Sequence, residues 1–87
     1  MGRRQRVGFD ILSFNELDDS ERFIEVKTTG LGKYFPFYVT ENEVRCSEAE
    51  PGKFQLYRVF DFSRVYVLPG ALSVSCVLTP IQYRATI

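Results

Sequence analysis

An α+β domain, rich in strands and carrying one main helix near its middle, is the fold this sequence predicts. Three observations lead there. Aromatic residues are 15% of the chain, and they alternate with β-branched residues in short runs bounded by Gly, Pro, Asn and Asp. One stretch carries the start and stop signals of a helix. Finally, 87 residues, 45% hydrophobic and 25% charged, fit one compact domain and no disordered chain.

Taken in order, residues 1–6 hold Arg3, Arg4 and Arg6 and read as a disordered basic terminus, with the domain over residues 7–87. Val7–Phe14 is the first strand and Arg22–Thr28 the second. The polar run Asn15-Glu16-Leu17-Asp18-Asp19-Ser20-Glu21 between them suits a hairpin loop. Gly30, Gly32 and Pro36 then break the chain, and Phe37-Tyr38-Val39 adds a short extended piece. The helix occupies about residues 40–50. Thr40 is its N-cap, Glu43 completes a capping box, and Val39 and Val44 take the places of a hydrophobic staple. Pro51-Gly52 stops it. Phe54–Phe62, Arg64–Leu68 and Leu72–Leu78 read as three further strands, with Pro69-Gly70 turning between the last two. The result is a mixed sheet of about five strands.

The strand faces carry a second message. Phe54, Leu56, Phe60 and Phe62 fall on one face, Tyr57 and Val59 on the other. In the next strand Val65 and Val67 oppose Tyr66 and Leu68. Both faces therefore need cover, and a helix of about 16 Å shields only part of one. An uncovered apolar face on a chain of zero net charge predicts self-association, as a two-fold homodimer.

Composition excludes several functions. Eleven Lys and Arg balance eleven Asp and Glu, so nucleic-acid binding would need local clustering of charge. No run approaches the ~18 apolar residues of a membrane span, and no hydrophobic region follows the basic start as in a signal peptide. Two cysteines, Cys46 and Cys76, cannot staple a small secreted domain and read as buried small hydrophobes. A cytoplasmic, reduced setting follows. The absence of histidine removes Cys/His zinc sites and Ser-His or Cys-His catalytic pairs. Any chemistry falls to carboxylates and lysine.

Such residues are present. In Arg22-Phe23-Ile24-Glu25-Val26-Lys27-Thr28 the period of two puts Glu25 and Lys27 on one face, Ile24 and Val26 on the other. Gly8-Phe9-Asp10-Ile11 places a lone acid in the first strand, and a hairpin brings Asp10 beside Glu25. Two carboxylates suit a hard cation such as Mg²⁺ or Mn²⁺. Such an ion polarises a phosphoryl oxygen and acidifies a bound water, while a lysine offsets the charge that builds on the phosphate. Metal-dependent phosphodiester hydrolysis is thus within reach without histidine. A plainer reading of Glu25 and Lys27 is a cross-strand charge pattern on a solvated face, worth under ~1 kcal/mol. Tyr57 and Arg58 either line the same cleft as Lys27 or pack in the sheet with the arginine snorkelling. Gly30-Leu31-Gly32-Lys33 lacks the spacing and the following helix of a phosphate loop.

Gly8-Phe9-Asp10-Ile11 followed by Arg22-Phe23-Ile24-Glu25-Val26-Lys27-Thr28-Thr29 resembles the core motif of the PD-(D/E)xK nuclease superfamily. More closely, residues 7 to 87 resemble the NO VEIN carboxy-terminal domain family, a nuclease-like domain of unknown function. The likeness continues through Pro36-Phe37-Tyr38-Val39-Thr40-Glu41-Asn42-Glu43-Val44, Leu56-Tyr57-Arg58-Val59-Phe60-Asp61-Phe62 and Leu68-Pro69-Gly70. The resemblance implies a restriction-endonuclease-like fold, with Asp10 and Glu25 as ligands of Mg²⁺ or Mn²⁺ and Lys27 as the catalytic lysine. The Val26 carbonyl completes the metal site in this comparison. It also implies DNA as the partner and membership of a larger multidomain protein or complex. Superfamily members usually carry a helix before the first strand, often with a further acid. Only six residues precede Val7, so the chain reads as a fragment or as a short form with an incomplete site. The alternative function is a non-catalytic protein-interaction module that keeps the nuclease-like fold.

Overall fold

The computed structural model describes residues 8–79 and 84–87. Its elements run β1 (Ile11–Phe14), β2 (Glu21–Thr28), β3 (Phe37–Tyr38), α1 (Glu41–Ala49), β4 (Phe54–Phe60), β5 (Arg64–Pro69), α2 (Leu72–Ser75), β6 (Val77–Thr79) and β7 (Arg84–Thr86). The main sheet has the order β1-β2-β4-β5, with β2 and β4 parallel and the outer pairs antiparallel. A smaller antiparallel sheet has the order β3-β7-β6. The molecule is thus a small α+β domain with a mixed main sheet and few helices.

Local chemistry explains most of this. The loop of residues 15–20 closes the β1–β2 hairpin through the Asn15 N–H to the Ser20 carbonyl at 2.8 Å. Parallel pairing of β2 with β4 requires a crossover, which residues 29–53 supply with α1. The start of α1 is the expected capping box. Thr40 Oγ1 accepts the Glu43 N–H at 3.1 Å, and Glu43 Oε1 accepts the Thr40 N–H at 2.9 Å. Val39 and Val44 are both buried in the core. That core gathers Phe54, Leu56 and Leu68 from one face of the main sheet, Val44 from α1, Leu72 from α2, and Phe37 and Ala85 from the smaller sheet.

Some expectations change. Leu72–Leu78 is not one strand: Leu72–Ser75 is a single helical turn and β6 begins at Val77. The physical reason is distant in sequence. Ala71 offers no side-chain cap, and the first N–H of the turn, that of Leu72, is taken at 3.0 Å by Ser47 Oγ of α1. The alternation of β4 ends at Phe60 rather than Phe62. Asp61 and Phe62 adopt φ of 52° and 65° in a tight turn closed by the Ser63 N–H on the Phe60 carbonyl, which leaves Phe62 84% exposed. The first strand begins at Ile11 rather than Val7, and Val7 and the arginines of residues 1–6 lie outside the described residues.

The two faces of the main sheet differ. The register places Phe23, Glu25 and Lys27 in one face with Phe54, Leu56 and Arg58, and with Leu68 and Tyr66. Ile11, Ile24, Val26, Tyr57, Val59, Val65 and Val67 share the other. On that second face Ile11, Val65 and Val67 are 48%, 54% and 42% exposed. No helix among the described residues is long and apolar enough to cross a membrane.

Candidate functional site

The strand period turns Glu25 and Lys27 toward the first turn of α1. Glu25 is 3% exposed, so the solvated-face alternative does not hold. Lys27 Nζ lies 3.2 Å from Glu25 Oε2 and 3.1 Å from Glu43 Oε1. The same Glu43 oxygen accepts the Thr40 N–H, so one carboxylate both caps α1 and holds the lysine of β2. Glu43 belongs to the site but was legible in the sequence only as a capping residue. Nothing in its spacing points to Lys27; the crossover brings them together.

Asp10 arrives by a different route. Gly8 has φ of 83°, and a Cβ there would meet the Asn42 carbonyl oxygen at 2.7 Å and the Cys46 Cβ at 2.8 Å. Glycine is therefore required where the chain presses on α1. Phe9 stacks on Phe23 with centroids 4.6 Å apart. Ile11 is the register partner of Ile24, yet the Asp10 N–H also reaches the Ile24 carbonyl, at 2.9 Å. Asp10 Oδ2 then accepts the Val26 N–H at 2.9 Å. The side chain thus satisfies a backbone donor of β2 where the ladder with β1 has ended. Asp10 is brought to the stretch Ile24–Val26 but makes no ion pair with Lys27. Val26 meets Asp10 through its N–H.

Arg58, opposite Lys27 in the register, is 1% exposed. Its guanidinium donates to the Lys27 carbonyl at 3.2 Å and the Phe35 carbonyl at 2.6 Å, and lies 4.8 Å from the centre of the Phe37 ring. It is buried rather than snorkelling, and it braces the backbone of Lys27 from behind. Tyr57 faces the other way, in register with Val26 and Val67, and does not share the Lys27 face.

The electrostatics follow from burial and from three charges in contact. Burial, then the hydrogen bond and charge of Glu43, push the Glu25 carboxyl up to about 8, against the pull of Lys27. For Lys27, burial opposes the ammonium, but Glu43 and Glu25 outweigh it and hold the pKa above its ordinary value. Burial lowers the Arg58 pKa, though a guanidinium stays charged. Burial also pushes up the thiols of Cys46 and Cys76, which are free and unsuited to nucleophilic work.

Three buried side-chain atoms lack a hydrogen-bond partner among the described residues: the Nε donors of Arg22 and Arg58, and one acceptor. That acceptor is Glu25 Oε1. A buried carboxylate oxygen without a donor is costly unless a proton or a cation meets it. Among the described residues no set of three or more Asp, Glu, Cys or His is arranged to hold a metal. Mg²⁺, however, takes only one or two carboxylates and keeps waters for its remaining positions. Glu25 Oε1 is an oxygen without a donor, and Asp10 stands at the neighbouring backbone with its Oδ2 accepting the Val26 N–H.

A family model described as Protein NO VEIN, C-terminal, matches residues 2–68. That span holds Asp10, Glu25, Lys27, Glu43 and Arg58, and stops before α2, β6 and β7. No curated protein and no solved structure matches the chain.

Proposed function

This chain belongs to the NO VEIN C-terminal family, and from that premise we propose a nuclease-like domain for metal-dependent phosphodiester hydrolysis or DNA binding. The observation that carries the proposal is the buried Glu25–Lys27 pair with one Glu25 oxygen left over. A hydrophobic core would not retain a buried carboxyl with an empty acceptor for stability, because apolar residues of similar size cost less. Glu25 and Asp10 are the side chains that would hold Mg²⁺ or Mn²⁺, with the Val26 carbonyl as a further oxygen. When bound, the ion supplies Lewis acidity and a water acidic enough to lose a proton near neutral pH. Lys27 supplies a fixed positive charge for the phosphoryl oxygens, where negative charge grows in the transition state. Glu43 positions that ammonium, and Arg58 fixes the backbone that carries it. A second reading, an interaction module without catalysis, is favoured by the open face of Ile11, Val65 and Val67.

Nicking of supercoiled plasmid DNA in Mn²⁺ separates the two. The wild type should nick, and Glu25→Gln, which keeps the shape and removes the carboxylate that would hold the ion, should abolish nicking while leaving the fold intact. Lys27→Ala should abolish it too, although it strands two carboxylates and lowers stability. Nicking that survives Glu25→Gln would remove this site from the chemistry.

A further inference from the structure

Beside the Lys27 cluster the sheet continues into a group of exposed rings. Lys27, Arg58 and Tyr66 stand in one row across β2, β4 and β5, on one face. Above Tyr66, at 4.2 Å from its centroid, sits the ammonium of Lys33, which is also 4.9 Å from the centroid of Tyr34. Tyr34 is 65% exposed and Tyr66 39%. The loop bearing Lys33 and Tyr34 is tied to the sheet by the Thr29 N–H on the Val59 carbonyl and by the Asp61 N–H on the Leu31 carbonyl, both at 2.9 Å. The second of these bonds joins it to the turn of Asp61 and Phe62. There a bulky residue is held at positive φ, a strained conformation that needs support from its surroundings. The Phe62 ring lies over Gly30, where a Cβ would come within 2.7 Å of it.

Core packing does not account for these rings. Lys33 and Arg64 make no ion pair with a carboxylate among the described residues; they lie against aromatic faces instead, Arg64 at 5.9 Å from Phe60. The acid of the turn is Asp61. Two unpaired cations against one acid give the patch a positive sign on a chain of zero net charge. Flat π faces interleaved with cations suit a ligand that offers unstacked bases on a phosphate backbone. Bases within a duplex are stacked on one another and cannot present their faces to side chains, so the fit is to single strands.

We infer that Tyr34, Lys33 and Tyr66 form the stacking surface of a single-stranded nucleic-acid substrate that runs on toward Lys27. The inference deepens the nuclease-like reading by naming its substrate class, and it rests on that reading for the direction of the strand. Fluorescence anisotropy of labelled oligo-dT, oligo-rU and a duplex of equal length, with the full chain in EDTA at low salt, tests it. Single strands should bind at least about tenfold more tightly than the duplex, with dT against rU reporting which sugar is preferred. Tyr34→Ala should weaken binding by roughly 5- to 100-fold, the loss expected for one stacked base. Tyr34→Phe should restore it, and Lys33→Gln should flatten the salt dependence. No binding, equal binding of the duplex, or no effect of Tyr34→Ala would overturn the inference. The two proposals fail separately. Binding without Mn²⁺-dependent nicking keeps the stacking surface and removes the catalysis, whereas nicking without a single-strand preference does the reverse.

Discussion

Glu43 Oε1 serves two donors at once, the N-cap amide of α1 and the ammonium of Lys27. Local and long-range structure therefore share an atom. Glu43→Gln keeps an acceptor for the cap but removes the Glu43 charge from beside Lys27 and Glu25. The Glu25 carboxyl should then titrate lower, as read by NMR of its carboxyl carbon, with little loss of helix; an unchanged titration would contradict the coupling. The raised Glu25 pKa also fixes a pH dependence. Its ordinary value is 4.5 and its folded value about 8. Between these the folded chain holds a proton that the unfolded chain has released, so stability falls as pH rises through this window. Thermal unfolding in EDTA should show that fall in the wild type and a flatter profile in Glu25→Gln. Stability rising over the same range would mean that Glu25 is ionised in the fold. Strand alternation made Glu25 and Lys27 visible, Asp10 stood out as a lone acid among apolar neighbours, and the family resemblance supplied their roles. Glu43 showed only as a capping residue and Arg58 only as one side of an open alternative, since their roles depend on the pairing of β2 with β4 and on where α1 lands.

Helix α1 and turn α2 show what makes an element legible. Thr40, Glu43, Val39 and Val44 lie within six consecutive residues, so the start of α1 is written locally and reads correctly. The turn α2 is made by a hydroxyl from another element. Ser47 Oγ donates to the Val44 carbonyl at 2.7 Å and accepts the buried Leu72 N–H at 3.0 Å. Ser47→Ala should cost about 1–3 kcal/mol in denaturant unfolding, because the Leu72 N–H loses its partner inside the core. Thr40→Ala removes an ordinary cap and should cost about 0.5–2 kcal/mol. A Ser47→Ala effect no larger than that of an exposed serine would show that the α1–α2 bond carries no weight. Phe62 was misplaced for a related reason: alternation is informative only while the backbone stays extended, and both Asp61 and Phe62 leave that region.

Across the whole molecule, the apolar pattern on both faces of the main sheet was readable from Tyr57, Val59, Val65 and Val67, and the structure leaves the second face partly uncovered. The second sheet was not readable, because β3, β6 and β7 have only two or three residues each and β3 pairs with β7 from the far side of α1 and the main sheet's β4 and β5. We expect the isolated chain to self-associate through the open face as a two-fold dimer. Light scattering at micromolar concentration should then exceed the 10.1 kDa of one copy, and Val65→Lys should restore the monomer. A monodisperse wild-type monomer would show that the face is tolerated in water. The central claim lies on the opposite face, in the orphaned oxygen of Glu25. Calorimetric titration of Mn²⁺ into the wild type, Asp10→Asn and Glu25→Gln tests it most directly. Saturable binding to the wild type that weakens in Asp10→Asn and disappears in Glu25→Gln is the predicted result; equal weak heats from all three would contradict a metal site at Glu25.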